Sequence, residues 1–325
     1  MPTVPTVPTY AELPRPDETG LPLAWGVWGA EDQLGTLNHI TPERVAAAAR
    51  LVHRGVRFNL DLPLHLPLGL INPGAHHRRS APRHTLFSGE LAGLTVRDDK
   101  LDDFFLQAST QWDGLTHIGD PRLGFYNGVQ DAQVTGEEGT RNGIENMAAF
   151  GIAGRGVLAD LPRHFRAAGR DWHPHRGEVA GARDLEECLG AQGVSLQPGD
   201  ILLVRQGWLA LYRETDDLEA RDALFRRRTY SGLAGGEELW KFLWDHQVAA
   251  LASDTVTVEV FPPVEGRPCL HWAIPRLGLV LGELFDLEAL AEDCVREGDY
   301  RCFFTSSPLN LRGGVGSPPN AMAIR

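Results

Sequence analysis

Two stretches of this chain set an amphipathic helical pattern directly ahead of a short apolar run, and that order limits the architecture more than any other feature. In Glu237–His246 the residues Leu239, Phe242 and Leu243 recur at helical spacing, and Val248–Ala252 follows at once. Asp286–Cys294 is followed in the same way by Arg301–Thr305. Gly156–Asp160 and Asp200–Arg205 add runs rich in leucine and β-branched residues, bounded by Gly or Pro-Gly, which is the pattern of strands covered on both faces. Helices interleaved with buried strands pack on the faces of a sheet, so the expected fold class is α/β with a mixed sheet. Upstream, Thr41-Pro42-Glu43 supplies an N-cap, a proline at the first helical position and an acid in the first turn. Val45, Ala48, Ala49 and Val52 then share one face, Gly55 stops the helix, and Val56–Leu64 alternates as a strand.

The chain has 325 residues, 42% of them hydrophobic and 23% charged, enough to bury the core of an ordinary globular protein. A formal net charge of -12 argues against nucleic acid or an anionic membrane as partner, because those select clustered Lys and Arg. No apolar run approaches the roughly 20 residues that span a bilayer. The start, M-P-T-V-P-T-V-P-T-Y, lacks the basic and apolar regions of a signal peptide, so a cytoplasmic location is expected. Cys188, Cys269, Cys294 and Cys302 show no C-x-x-C spacing and read as free thiols. Residues 1–24 form a Pro-rich arm without a core of its own, ahead of a single domain over 25–325. Such an arm trails as a tail or lies across a neighbouring subunit, and a homo-oligomer is expected.

The chemistry concentrates in Ser109–Gly128, where Gln111, Asp113, His117 and Asp120 fall within ten residues among glycines and aromatics. Asp113 and His117 offer a carboxylate and an imidazole, the ligand types that divalent ions take. Two further candidates stand far downstream. His271 is flanked by apolar residues, and Glu283 interrupts Leu279-Val280-Leu281-Gly282, which otherwise reads as a buried strand. An ionised carboxylate there needs a strong partner, and a metal ion is one. Tyr126, close in sequence to this loop, is a candidate for hydrogen bonding to substrate. Asp254 reads as a loop cap that accepts backbone N–H bonds. His76, His77 and His84 among Arg78, Arg79 and Arg83 read as a polar loop, or as a cationic lid over an anionic substrate. His173-Pro174-His175 lies in a solvated stretch and is not read as a metal pair. Nucleotide-binding G-x-G-x-x-G, G-x-S-x-G and H-E-x-x-H patterns are missing.

Six blocks in order, W-G-A-E-D-Q-L-G-T-L-N at Trp28, Q-W-D-G-L-T-H at Gln111, G-R-G-V-L-A-D at Gly154, L-Q-P-G-D-I-L-L-V-R-Q-G-W at Leu196, S-D-T-V-T-V-E at Ser253 and L-G-E-L-F-D-L-E-A-L at Leu281, resemble the cyclase-like metal-dependent hydrolases. That family is similar to bacterial kynurenine formamidase and isatin hydrolase. The resemblance implies the swivelling β/β/α fold as a single domain, subunit pairing, and one divalent metal ion, manganese or zinc, held by Asp113, His117, His271 and Glu283. Against the formamidase pattern H-x-G-T-H-x-D-x-P-x-H, Thr116-His117 matches its T-H, while Asp113 stands at its first His, Gly119 at its Asp and Leu123 at its last His. The chain therefore looks like a longer branch with a Q-W-D-x-x-x-H motif. With Leu123 in place of His, the general base falls to Glu283, to Asp120, which stands one residue late, or to another segment of the chain. Asp120 and Gln111 are also open as ligands. The expected function is a metal-dependent hydrolase of an amide, lactam or ester bond in a small cyclic or aromatic substrate. The alternative is a non-hydrolytic metal-dependent cyclase or dehydratase, or a small-molecule binding protein.

Overall fold

A computed structural model describes residues 7–67 and 79–325, so His76, His77 and Arg78 of the cationic segment lie outside the described residues. The helices are α1 (Pro42–Ala48), α2 (Ile144–Phe150), α3 (Leu161–Ala167), α4 (Ala182–Ala191), α5 (Trp208–Glu214), α6 (Leu218–Arg226), α7 (Glu237–Asp245), α8 (Ala273–Leu277) and α9 (Glu288–Glu297). The strands are β1 (Arg57–Asn59), β2 (Arg83–Leu91), β3 (Leu94–Asp102), β4 (Gln111–Asp113), β5 (Ile152–Asp160), β6 (Val179–Ala180), β7 (Ile201–Arg205), β8 (Gly232–Leu233), β9 (Ala250–Ser253), β10 (Val280–Glu283), β11 (Arg301–Ser306), β12 (Gly316–Ser317) and β13 (Ala321–Ile324).

Nine strands make one mixed sheet in the order β1-β13-β11-β5-β7-β9-β10-β4-β12. The run β5-β7-β9-β10 is parallel, and these are the near-continuous apolar strands, buried along almost their whole length. The pairings of β4, β11, β12, β13 and β1 are antiparallel. Helices α1 and α4 pack on β5, and α3 packs on β7. The α/β architecture with a mixed sheet expected from the helix-then-strand order is observed, in the single domain that the resemblance implies.

Local readings hold where an apolar face has a sheet to cover. Thr41 caps α1 through the Arg44 N–H at 3.4 Å, and α7 buries Leu239, Trp240, Phe242, Leu243 and Trp244. The strand read over Val56–Leu64 shrinks to β1, because the chain leaves the sheet edge after Asn59. There Asp61 accepts the Ala321 N–H at 2.7 Å, and Leu60 and Leu62 keep the alternation and point into the core beyond the end of the strand.

Residues 7–24 correct the idea of an arm with no partner in its own chain. Tyr10, Leu13, Leu21, Leu23 and Ala24 are buried. The Tyr10 N–H donates to Asp245 at 2.7 Å, the Trp244 indole donates to the Pro8 carbonyl at 2.8 Å, and Arg15 pairs with Glu237 at 2.7 Å. Prolines hold this segment extended, and the aromatic face of α7 supplies the core that the segment lacks. Among the described residues, no helix is long and apolar enough to cross a membrane. All four cysteines are free, as their spacing predicts.

Candidate metal centre

The short strand β4 sits between β10 and β12, with Asp113 opposite Leu281, Trp112 opposite Gly282 and Gln111 opposite Glu283. Successive side chains of a strand point to opposite faces. Gln111, Asp113 and Glu283 therefore share one face, and Trp112 points to the other. Trp112 fixes this register: it is fully buried, packs against Phe285 with ring centroids 4.8 Å apart and ring planes tilted by 57°, and donates to Ser306 at 2.9 Å. A Cβ at Gly282 would meet the Trp112 ring at 2.7 Å and Phe285 at 2.6 Å, so only glycine lets the indole lie across β10. After Asp113 the chain turns tightly, with the His117 N–H donating to the Gly114 carbonyl at 3.0 Å, and this brings His117 Nε2 to 3.6 Å from Asp113 Oδ1.

His271 enters from the 3-10 turn Leu270–Trp272 ahead of α8. Its Nε2 lies 3.6 Å from Asp113 Oδ2 and 3.3 Å from Glu283 Oε1. On the other side of the ring, Nδ1 bonds to Glu259 Oε1 at 2.5 Å, and Glu259 Oε2 accepts the Leu270 N–H. Glu259 thus grips both the ring and the backbone that carries it. Gln111 Nε2 donates to Glu283 Oε2 at 2.6 Å, leaving Oε1 turned toward His271. Asp113, His271 and Glu283 each offer one ligand atom within 4.8 Å of the others, and Asp113 Oδ2 is buried with no hydrogen-bond partner.

The charges fit a divalent cation bound at this centre. Burial, and next the Asp113 carboxylate, push the Glu283 carboxyl up to about 7. Burial also works to raise Asp113, but His117, His271 and Arg79 outweigh it and hold this carboxyl below its ordinary value. Burial would lower His271, yet Asp113, Glu259 and Glu283 together lift it well above the usual histidine range. Burial lowers His117 despite its acidic neighbour. Two carboxylates sharing a dry pocket, one with an orphaned oxygen, together with imidazole nitrogens, are the donor set a divalent ion of borderline hardness takes.

Two sequence candidates have other employment. Both oxygens of Asp120 are committed: Oδ2 accepts from fully buried Arg276 at 3.0 Å (Nε) and 2.6 Å (Nη2), and Oδ1 accepts the Arg122 and Leu123 N–H groups at 2.9 and 3.3 Å. Asp120, expected as a candidate base or ligand, is placed against Arg276 and the Arg122–Leu123 backbone, and it is not in the Asp113–His271–Glu283 group. Tyr126, expected as a candidate for hydrogen bonding to substrate, is fully buried and donates its hydroxyl to Asp32 at 3.0 Å, anchoring the Trp28–Asn38 loop. Asp254 caps the β7–α5 turn as read, accepting the Gln206 and Gly207 N–H groups at 2.6 and 2.8 Å. His175 packs beside Trp208 and Tyr230, away from any ion-binding cluster among the described residues.

Glu259 has no role in the sequence reading, and Arg79, read there only as part of a polar loop or cationic lid, brings its charge to bear on Asp113, His117 and Glu283. The one available signal for Glu259 was a lone acid between Val258 and Val260.

Fold and site together define an α/β protein with a buried carboxylate–imidazole centre on a mixed sheet. The Cyclase family model matches residues 37–260, and the chain belongs to that family. A solved structure described as a novel cyclase is 33% identical, covering 93% of this chain and 99% of its own, with a TM-score of 0.81. Isatin hydrolase A from Ralstonia solanacearum shares the fold at 15% identity, covering 87% and 97% of the two chains with a TM-score of 0.54. Isatin hydrolase A from Labrenzia aggregata, solved with benzyl benzoate, does so at 13% identity, 85% and 94% coverage and a TM-score of 0.53. No protein of curated function matches the sequence.

Proposed function

We propose that the protein is a metal-dependent hydrolase that opens an amide, lactam or ester bond in a small cyclic or aromatic substrate. Asp113, His271 and Glu283 would hold one divalent ion, manganese or zinc, with His117 completing the set beside Asp113. The observation that carries this reading is the convergence of three ligand atoms around the orphaned Asp113 Oδ2. When bound, such an ion lowers the pKa of a water to about 7 and polarises a carbonyl.

The chain's own residues do the rest. Gln111 clamps Glu283 Oε2, so Oε1 is the oxygen that faces the centre, where it would both bind the ion and, through its remaining lone pair, take a proton from the attacking water and return it to the leaving nitrogen or oxygen. Glu259 keeps the Nδ1 proton of His271 in place and so presents the Nε2 lone pair to the centre. Arg79, on the polar loop ahead of β2, adds positive potential where negative charge gathers on the substrate oxygen.

The test is incubation of purified protein with manganese or zinc and a panel of N-formyl aromatics, isatins, lactones and cyclic imides, following release of a carboxylic acid. Metal-dependent release from at least one class is expected. Metal binding with no acid released from any class would overturn hydrolysis in favour of a lyase-type or binding protein.

A further inference from the structure

Gly316 of β12 stands directly opposite Asp113 of β4, so any side chain it carried would share the face that holds the ligand candidates. That place is taken by another residue. A Cβ at Gly316 would come within 2.7 Å of Gln107 Nε2 and 3.3 Å of Gln107 Cγ, so the Gln107 carboxamide fills the space that glycine leaves open. It lies one strand spacing, about 4.8 Å, to the side of Asp113. The Arg79 guanidinium donates to the Gln107 carbonyl and ties down the backbone that carries this side chain.

Gln107 Nε2 is buried and bonds to nothing among the described residues. A dry N–H2 without an acceptor is costly, and such a group calls for a partner. The other carboxamide on this face has its partners already: Gln111 Nε2 donates to Glu283 Oε2 at 2.6 Å and to Asp113 Oδ1 at 3.3 Å. Gln111 thus serves the carboxylates, and Gln107 remains as an unused donor beside them.

What such a donor takes is an oxygen. In the hydrolysis proposed above, water oxygen bonds to the carbonyl carbon and the C=O π pair moves onto the carbonyl oxygen. Collapse of that adduct re-forms the C=O and expels the leaving nitrogen or oxygen, which receives the proton that Glu283 took from the water. A fixed N–H donor bonds more strongly to the carbonyl oxygen as its charge grows, and it need not reorganise to do so. We propose that Gln107 is a catalytic residue whose Nε2 donates to the carbonyl oxygen of the substrate, in the gap made by Gly316. The identity of that oxygen rests on the hydrolase reading; the donor itself needs only an oxygen ligand at the centre.

Gln107→Met keeps the length of the side chain over Gly316 and removes the donor. On a substrate that the wild type hydrolyses, this variant should lose about 100–1000-fold in kcat/KM, with manganese affinity by calorimetric titration unchanged. Benzoate offers carboxylate oxygens to the same donor, and it should bind the manganese-loaded variant about 10–100-fold more weakly than the manganese-loaded wild type. Wild-type kcat/KM in the variant, equal benzoate affinity, or no benzoate binding to the wild type would each overturn the proposal. Weakened manganese affinity would overturn it as well, because Nε2 would then be supporting Asp113 through a water. Should the wild type hydrolyse none of the panel, the hydrolase reading falls by itself, and the benzoate titration still decides whether Gln107 is a donor to a bound oxygen.

Discussion

Replacing Glu259 with glutamine tests whether the support behind His271 tunes the metal centre. Both groups that face this carboxylate are donors, His271 Nδ1 at 2.5 Å and the Leu270 N–H. Glutamine keeps one acceptor and turns an NH2 toward the other donor, whichever way the amide is placed. One charge-assisted hydrogen bond is lost, worth about 1.5–3 kcal/mol. That is the same scale as the roughly 10–100-fold loss of metal affinity seen when a group orienting a ligand histidine is removed. We therefore expect Glu259→Gln to bind manganese or zinc about 10–100-fold more weakly by calorimetric titration, with a far-ultraviolet spectrum like wild type. Wild-type affinity in the folded variant would refute the reasoning, since His271 would then hold its tautomer and orientation without Glu259.

Asp113→Ala and His271→Ala should each strip the ion from the purified protein, and elemental analysis showing full occupancy in both would remove them from the ligand set. Glu283→Gln preserves size and one oxygen, so it should retain much of the metal yet lose roughly 100-fold or more in rate on a verified substrate; wild-type turnover would place the base elsewhere. His39 is buried with its pKa lowered to about 3, chiefly by burial and then by Arg44. Because this folded-state value lies below the ordinary 6.5, its contribution to stability is whole above about pH 6.5 and is lost as pH falls toward 3, amounting to about 2 kcal/mol by pH 5. Melting temperatures should thus drop from pH 7 to pH 5, less steeply in His39→Gln, and equal slopes would contradict the assignment.

The sequence was most legible where one physical signal dominated. Strands β5, β7 and β9 and helices α7 and α9 bury apolar residues at the period of their element, so composition and spacing reported them directly. The strand β4 carries Asp113 in only three residues within a turn-rich stretch, and nothing local marks it as paired with β10. Its place comes from Trp112 lying on Gly282, a contact between residues far apart in sequence. Asp120 and Tyr126 looked functional because they sit near the motif, but the buried Arg276 and half-buried Asp32 that bond to them arrive from distant segments. The hairpin β2–β3 gave no period-2 signal because neither of its faces is buried, which removes the alternation that betrays a half-covered strand. The Pro-rich segment before Trp25 shows few large apolar residues, and among them Tyr10, Leu13 and Leu21 dock into the core.

Crystals soaked in manganese and measured at an energy where the metal scatters anomalously offer the most direct measurement of the central claim. The account predicts one anomalous peak per chain, lying among Asp113 Oδ2, His271 Nε2 and Glu283 Oε1. Crystals soaked at saturating manganese with no peak at that position, or with the ion bound elsewhere, would contradict it.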